Sequence, residues 1–233
     1  MTLQDSEAQN ISGLFNSLKI SNVINVGLEL LFPLRCVGCG RVDTGWCHVC
    51  QAELKTIPIT LYDRVITGDI AVASTGIHSG KLQSAVQALK YEGLTMLSDE
   101  LGDRLAYTLQ QKDWSIDTIV PVPLHTTRFS QRGYNQSQLL SEKIEALLNI
   151  RCEPNAVTRQ RETQSQVGLS AKERLNNMID AFHANPEFVS GKTLLIIDDV
   201  LTTGATLSAC AQAALNAGAR QIYGLTVTTA SAN

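Results

Sequence analysis

Apolar residues fall along this chain in two rhythms. Short apolar-rich runs mark strands over residues 70–74, 117–123, 194–197 and 222–228, and the unbroken Leu194-Leu195-Ile196-Ile197 reads as a parallel strand buried on both faces. Spacings of three and four mark helices instead. Leu82, Ala85, Val86 and Leu89 share one face of a helix over 81–90, and further helices are expected over 97–110, about 135–148 and 207–216, the last closed by Gly218. In order these read β–α–α–β–α–loop–β–α–β. That order predicts an α/β fold, a mostly parallel sheet with helices on both faces. Residues 53–69, with Pro58, read as a linker. Residues 158–176 read as a loop, with Ser170 and Glu173 forming a capping box for a short helix beyond it. At the start, Ile11, Leu14, Phe15 and Leu18 fall at i, i+3, i+4 and i+7 of an amphipathic helix. The expected organisation is an N-terminal helical segment over 1–34, a small element over 35–57 and one α/β domain over 58–233.

The strand at 194–197 carries the most chemistry. It runs into Asp198-Asp199-Val200-Leu201 and turns through Thr202-Thr203-Gly204-Ala205-Thr206 into a helix. Open α/β sheets bind ligands beyond the carboxyl ends of their strands. Free N–H groups at a helix start, hydroxyl side chains and a glycine form a cradle for phosphate. Carboxylates do not suit phosphate, but each accepts two hydroxyl hydrogen bonds, which suits a vicinal diol. The combination describes a site for ribose 5-phosphate; the plain alternative is a strand–turn–helix junction with an acidic rim. A second loop, 124–136, follows the strand that ends at Pro121 and Pro123. Its Arg128, Arg132 and Gly133 suit a second anion, since guanidinium forks match phosphate oxygens, unless it is simply a solvated basic loop.

Cysteine usage adds a metal to the picture. Cys36-x2-Cys39-x7-Cys47-x2-Cys50 supplies two CxxC knuckles and four thiolates, a full tetrahedral set for structural Zn2+ that leaves no position open for substrate. Two disulfides or a redox pair are the alternatives. Charge is uninformative: a net −3 and a pI near 5.8 give no electrostatic reason for the chain as a whole to bind nucleic acid. Around the knuckles Arg35, Arg41 and Lys55 face Asp43 and Glu53, which gives direct DNA contact little support. The run 23–34 is too short to span a bilayer and holds Asn25 and Glu29, and residues 1–10 lack a basic n-region, so a cytoplasmic protein is expected.

The run 194–206 resembles the PRPP-binding signature of type I phosphoribosyltransferases. Taken with the four cysteines, Lys90-Tyr91-x-Gly93, Val122-Pro123-Leu124 leading to Arg128 and Arg132-Gly133-Tyr134-Asn135-Gln136, and the stretch from Arg159 to Asn177, the chain resembles the ComF family over about residues 30–230. That family joins a zinc ribbon to a phosphoribosyltransferase domain. The resemblance implies that Asp198 and Asp199 hold the ribose hydroxyls and that Thr202, Thr203, Gly204, Ala205 and Thr206 hold the 5′-phosphate. It implies that Arg128 and Arg132 face the pyrophosphate, and that residues 159–174 form a lid from which Arg159 or Arg161 reaches in. Mg2+ would accompany PRPP, with Asp198 and Asp199 helping to bring it in. The implied reaction is phosphoribosyl transfer (a pentosyl, glycosyltransferase-type reaction) to an unknown acceptor, associated with DNA uptake or use. Glutamine-dependent amidotransfer is not expected, for there is no glutaminase region and no N-terminal cysteine. The other reading is a catalytically silent PRPP or nucleotide sensor that docks DNA-uptake or recombination proteins through its ribbon. By analogy with type I transferases, residues 81–93 are a candidate homodimer contact.

Overall fold

A computed structural model describes residues 34–42, 44–160 and 181–231. The expected amphipathic helix, the capping box at Ser170, and Asp43, Arg161 and Arg174 lie outside the described residues. The chain divides into two compact units, Met1–His48 and Val49–Asn233.

The elements are α1 (His48–Thr56), β1 (Tyr62–Ile66), β2 (Ile70–Ser74), α2 (Gly80–Tyr91), α3 (Leu97–Gln110), β3 (Thr118–Pro121), α4 (Thr126–Arg132) and α5 (Gln136–Leu148). They continue as β4 (Val157–Arg159), β5 (Phe182–Ala184), α6 (Pro186–Val189), β6 (Thr193–Leu201), α7 (Ala205–Asn216) and β7 (Gln221–Thr229). A five-stranded sheet of order β1-β2-β7-β6-β3 forms the centre of the larger unit. β2, β7, β6 and β3 run parallel, and β1 pairs antiparallel with β2 at one edge. Leu194, Leu195, Ile196 and Ile197 of β6 are all fully buried, as an unbroken branched run at the middle of a parallel sheet should be. Of the described residues, no helix is long and apolar enough to cross a membrane.

Two segments depart from expectation. The linker of residues 53–69 contains the end of α1 and the whole of β1. Only Ile66 of β1 is buried, so this edge strand lacks the apolar alternation that would announce it. Arg104 of α3, itself buried, ties the preceding residues to the sheet by donating to the carbonyls of Ile57 (2.7 Å) and Pro58 (3.2 Å) and to both oxygens of Thr75. The loop at 124–136 contains the short helix α4, which buries no residue and so leaves no hydrophobic period to read. Its ends are set locally: the His125 ring accepts from the Thr127 N–H at 3.4 Å, and Gly133 stops it in the left-handed region at φ +81°. β4 and β5 form a separate two-stranded ribbon, pairing Val157 with Ala184 and Arg159 with Phe182.

Candidate ribose phosphate site and cysteine cluster

The end of β6 and the start of α7 enclose a small concavity of about 20 Å³. Asp198, Thr202, Gly204, Ala205 and Thr206 line it. Gly204 makes the turn possible. Its φ is +81°, and a Cβ there would lie 2.8 Å from Ile66 Cγ2, so β1 presses on the loop from beneath. The Thr203 hydroxyl accepts from the Ala205 N–H at 3.4 Å. No acidic residue stands in the first turn of α7, and the start of that helix lines this concavity.

The two carboxylates have unlike surroundings, because neighbours on a strand point to opposite faces. Asp198 is half-buried and lines the phosphate concavity; its Oδ1 accepts from Ser137 Oγ of α5 at 3.2 Å and from the Asp199 N–H at 2.9 Å. Burial, then the charge of Asp199, pushes its pKa upward, with Lys90 opposing. Asp199 is 3% exposed; its Oδ1 pairs with Lys90 Nζ of α2 at 2.7 Å, and its buried Oδ2 has no hydrogen-bond partner among the described residues. Burial works to lower the Lys90 pKa, but the attraction of Asp199 and Asp198 outweighs it and the net shift is upward. Close by, His78 Nδ1 meets Thr228 Oγ1 at 2.9 Å, and burial and Lys90 together hold the ring pKa below its ordinary value.

On the β3 side lies a larger cleft of about 370 Å³. Lys90, Tyr91 and Gly93 form one wall, and Arg128, Arg132 and Tyr134 form the other. Arg128 and Arg132 are one turn apart on α4 and share a face. The Arg132 guanidinium lies 5.4 Å from the Tyr91 ring centre and donates to Gln136 Oε1, and Tyr134 Oη donates to the Leu89 carbonyl. Asn135 anchors the loop at the strand end: it donates to the Val122 carbonyl and caps α5 by accepting from Ser137 N–H, each at 3.0 Å. Arg159 lines neither cleft; on β4 its guanidinium stands over the Phe182 ring at 5.4 Å. Sequence reasoning did not assign Lys90, Ser137 or His78 a part in this site. Lys90 alone had left a signal, in the Lys90-Tyr91-x-Gly93 motif.

The sulfur atoms of Cys36, Cys39, Cys47 and Cys50 all lie within 4.8 Å of one another. A tetrahedral Zn2+ with ~2.3 Å bonds would set its sulfurs about 3.8 Å apart, and Cys39 and Cys47 already stand at 3.6 Å. The Cys47 N–H donates to Cys36 Sγ at 3.3 Å, and Lys81 of α2 donates to Cys50 Sγ at 3.1 Å while pairing with Glu53 at 2.9 Å. Four convergent thiols, with a backbone N–H and an ammonium donating to two of them, fit a zinc tetrathiolate.

Comparison with known proteins agrees with this geometry. The phosphoribosyl transferase domain family matches residues 95–231. Competence protein F of Haemophilus influenzae is 40% identical over 223 residues, covering 83% of this chain and 97% of that one. The DNA utilization protein YhgH of Escherichia coli K12 is 42% identical over 106 residues, 46% of each chain, so the aligned region spans about half the length of that relative. Competence protein ComFC of Bacillus subtilis is 29% identical over 103 residues, covering 43% of this chain and 39% of that one. With its four-cysteine cluster preceding a phosphoribosyl transferase domain on a mostly parallel sheet, the chain belongs to the ComF family.

Proposed function

We propose that this protein binds PRPP with Mg2+ and transfers its phosphoribosyl group to an acceptor, releasing pyrophosphate. The observation that carries the reading is the arrangement at the carboxyl end of β6: a concavity at the start of a helix, a buried carboxylate with one oxygen unpartnered among the described residues, and an arginine-lined cleft on the β3 side. The 5′-phosphate sits among Thr202, Thr203, Gly204, Ala205 and Thr206. Asp198 and Asp199 accept the ribose hydroxyls, with Ser137 and Lys90 fixing their orientation. Arg128 and Arg132 take the negative charge that grows on the departing diphosphate, in a site whose donors are already aimed. Mg2+ is a hard cation that prefers oxygen ligands and would neutralise the diphosphate. Asp198 and Asp199 would hold it from the protein side, the second of them already paired with Lys90. Following the resemblance, Arg159, at the end of β4, or Arg161 would reach in on closure, although Arg159 as described stands over the Phe182 ring and lines neither cleft. Zn2+ held by Cys36, Cys39, Cys47 and Cys50 is structural, since four thiolates leave no open position. The names of the relatives connect the family with competence and DNA utilisation, and we extend that setting to this chain, with partners among proteins that handle DNA.

The Lys90–Asp199 ion pair favours a second reading, in which the site binds PRPP without turning it over. A carboxylate already neutralised by a lysine gives binding without a strong pull on the metal-bound diphosphate. Calorimetric titration of zinc-loaded protein with PRPP and Mg2+, with pyrophosphate measured in the same samples, separates the two. Binding with slow release supports the transferase, and binding with no release supports the sensor. The double variant Asp198→Asn, Asp199→Asn should lose PRPP affinity while keeping its fold and zinc; unchanged affinity would remove the site assignment.

A further inference from the structure

The four sulfurs of the cysteine cluster are not equivalent. Cys36, Cys47 and Cys50 are buried, whereas Cys39 is exposed. The first knuckle turns tightly there: the Cys39 and Gly40 N–H groups both donate to the Cys36 carbonyl, at 3.3 and 2.7 Å. Gly40 follows at φ +73°, and a Cβ on it would meet nothing within 4 Å. Among the described residues, the space beside Cys39 is therefore open on that side.

Hydrogen bonding divides the sulfurs in the same way. Cys36 Sγ accepts from the Cys47 N–H at 3.3 Å, and Cys50 Sγ accepts from Lys81 Nζ at 3.1 Å. Each donor draws charge off its sulfur and makes it a weaker nucleophile. At hydrogen-bond distance, Cys39 Sγ meets only Cys47 Sγ among the described residues, at 3.6 Å. Arg35 Nη1 donates to the Gly40 carbonyl at 3.3 Å, which brings a guanidinium to the same turn. The ligands of Zn2+ bind deprotonated, so Cys39 in the loaded cluster is a thiolate. An exposed thiolate beside a cation and a second sulfur is the setting in which cysteine reacts with oxidants.

We propose that Cys39 is a peroxide-reactive thiolate, that Cys47 is its resolving partner, and that their oxidation opens the zinc cluster. The Cys39 sulfur attacks one peroxide oxygen. The S–O bond forms, the O–O bond breaks, and the other oxygen leaves with the electron pair as hydroxide. The Cys47 thiolate then attacks the sulfenic sulfur, forming the Cys39–Cys47 disulfide and expelling a second hydroxide. Two thiolates are oxidised and one peroxide is reduced. Cys36 and Cys50 remain, too few ligands for a structural zinc site. The inference concerns the cysteine cluster alone and does not rest on the PRPP reading.

The test treats the full, zinc-loaded chain with limiting hydrogen peroxide and follows freed metal with a colour-forming chelator. Zinc should leave in step with the loss of two thiols, and peptide mass spectrometry should find Cys39 joined to Cys47. Dithiothreitol with added Zn2+ should restore the cluster. Brief exposure to N-ethylmaleimide should label Cys39 before the other three. Cys39→His, which keeps a four-ligand Cys3His set, should retain zinc and release it to peroxide about tenfold more slowly or less. If that variant takes up no zinc, the disulfide map and the labelling order decide alone. A disulfide from Cys39 to Cys36 or Cys50, first labelling at a buried cysteine, or wild-type release from Cys39→His would each overturn the inference. So would zinc retained at a peroxide dose that oxidises the exposed Met96.

Discussion

The phosphate loop and the arginine cleft lie to either side of the Asp198–Asp199 pair, and they are built in opposite ways. Around Gly204 the free space is about 20 Å³, and the groups proposed to bind an anion are backbone N–H and short hydroxyls, with Ile66 close against Gly204. Between Tyr91 and Arg132 the space is about 370 Å³, and the groups are long side chains on a seven-residue helix that buries nothing. A site made of backbone is set by folding and fits one group of fixed size. A site made of arginine and lysine adjusts, at a cost in side-chain entropy each time it orders. The contrast suits a ligand whose 5′-phosphate stays in place while its diphosphate departs.

Gly204→Ala should break the rigid half outright. The new methyl group would force a positive φ on an L-residue, at about 1–2 kcal/mol, and bring a Cβ to 2.8 Å from Ile66 Cγ2. We expect stability to fall by about 1–3 kcal/mol in urea titration and both PRPP and ribose 5-phosphate to lose most of their affinity. Retained ribose 5-phosphate binding would mean that the loop adjusts as readily as the cleft, and the contrast would be lost.

Lys90→Met should separate the halves. Lys90 pairs with Asp199 and also lines the arginine cleft, so among the residues described it is the one cation shared between the proposed diol site and the cleft. Replacing it with an uncharged side chain of similar length should cost PRPP and inorganic pyrophosphate about tenfold, the scale of one charge-assisted contact. Ribose 5-phosphate, which has no diphosphate, should change far less. Equal losses for both ligands would show that Lys90 only supports Asp199.

How legible each half was in the sequence follows from the same physics. The loop at Thr202–Thr206 could be found because a parallel strand buried on both faces leaves an unbroken apolar run, and the chemistry stands where that run stops. The sheet around it was readable for the same reason. β1 was not, since four of its five side chains escape burial and an edge strand keeps no apolar face. α4 was not, since a helix without a buried face carries no period, though its arginines could still be singled out by type. The pairing of Lys90 with Asp199, the capping of Asp198 by Ser137 and the stapling of residues 57–58 by Arg104 join elements far apart in sequence. Local pattern carries no information about such contacts. The unlike surroundings of Asp198 and Asp199 were within reach, because a strand's period of two assigns adjacent residues to opposite faces.

The smallest expected effect concerns pH, and it tests whether the halves communicate without ligand. His78 lies on the fixed side: its backbone N–H donates to the Thr229 carbonyl at 2.8 Å and its ring Nδ1 meets Thr228 Oγ1. Burial first, then the charge of Lys90, lowers its pKa, while Asp199 opposes. The folded protein therefore keeps the ring neutral at a pH where the unfolded chain, at about 6.5, already takes up a proton. Between the folded value and 6.5 the unfolded state binds more protons, so stability rises with pH through that window, is complete above it and is lost on acidification. The His78 contribution therefore lowers the melting temperature as pH drops below about 6.5, against that of Asp198, whose raised pKa favours the folded state on acidification, and His78→Gln should remove the His78 part of the profile. Lys90→Met, by removing a repelling charge that belongs to the cleft, should flatten it partway. A profile untouched by His78→Gln would assign the slope to other groups, and one untouched by Lys90→Met would show that the two halves are electrostatically independent until a ligand joins them.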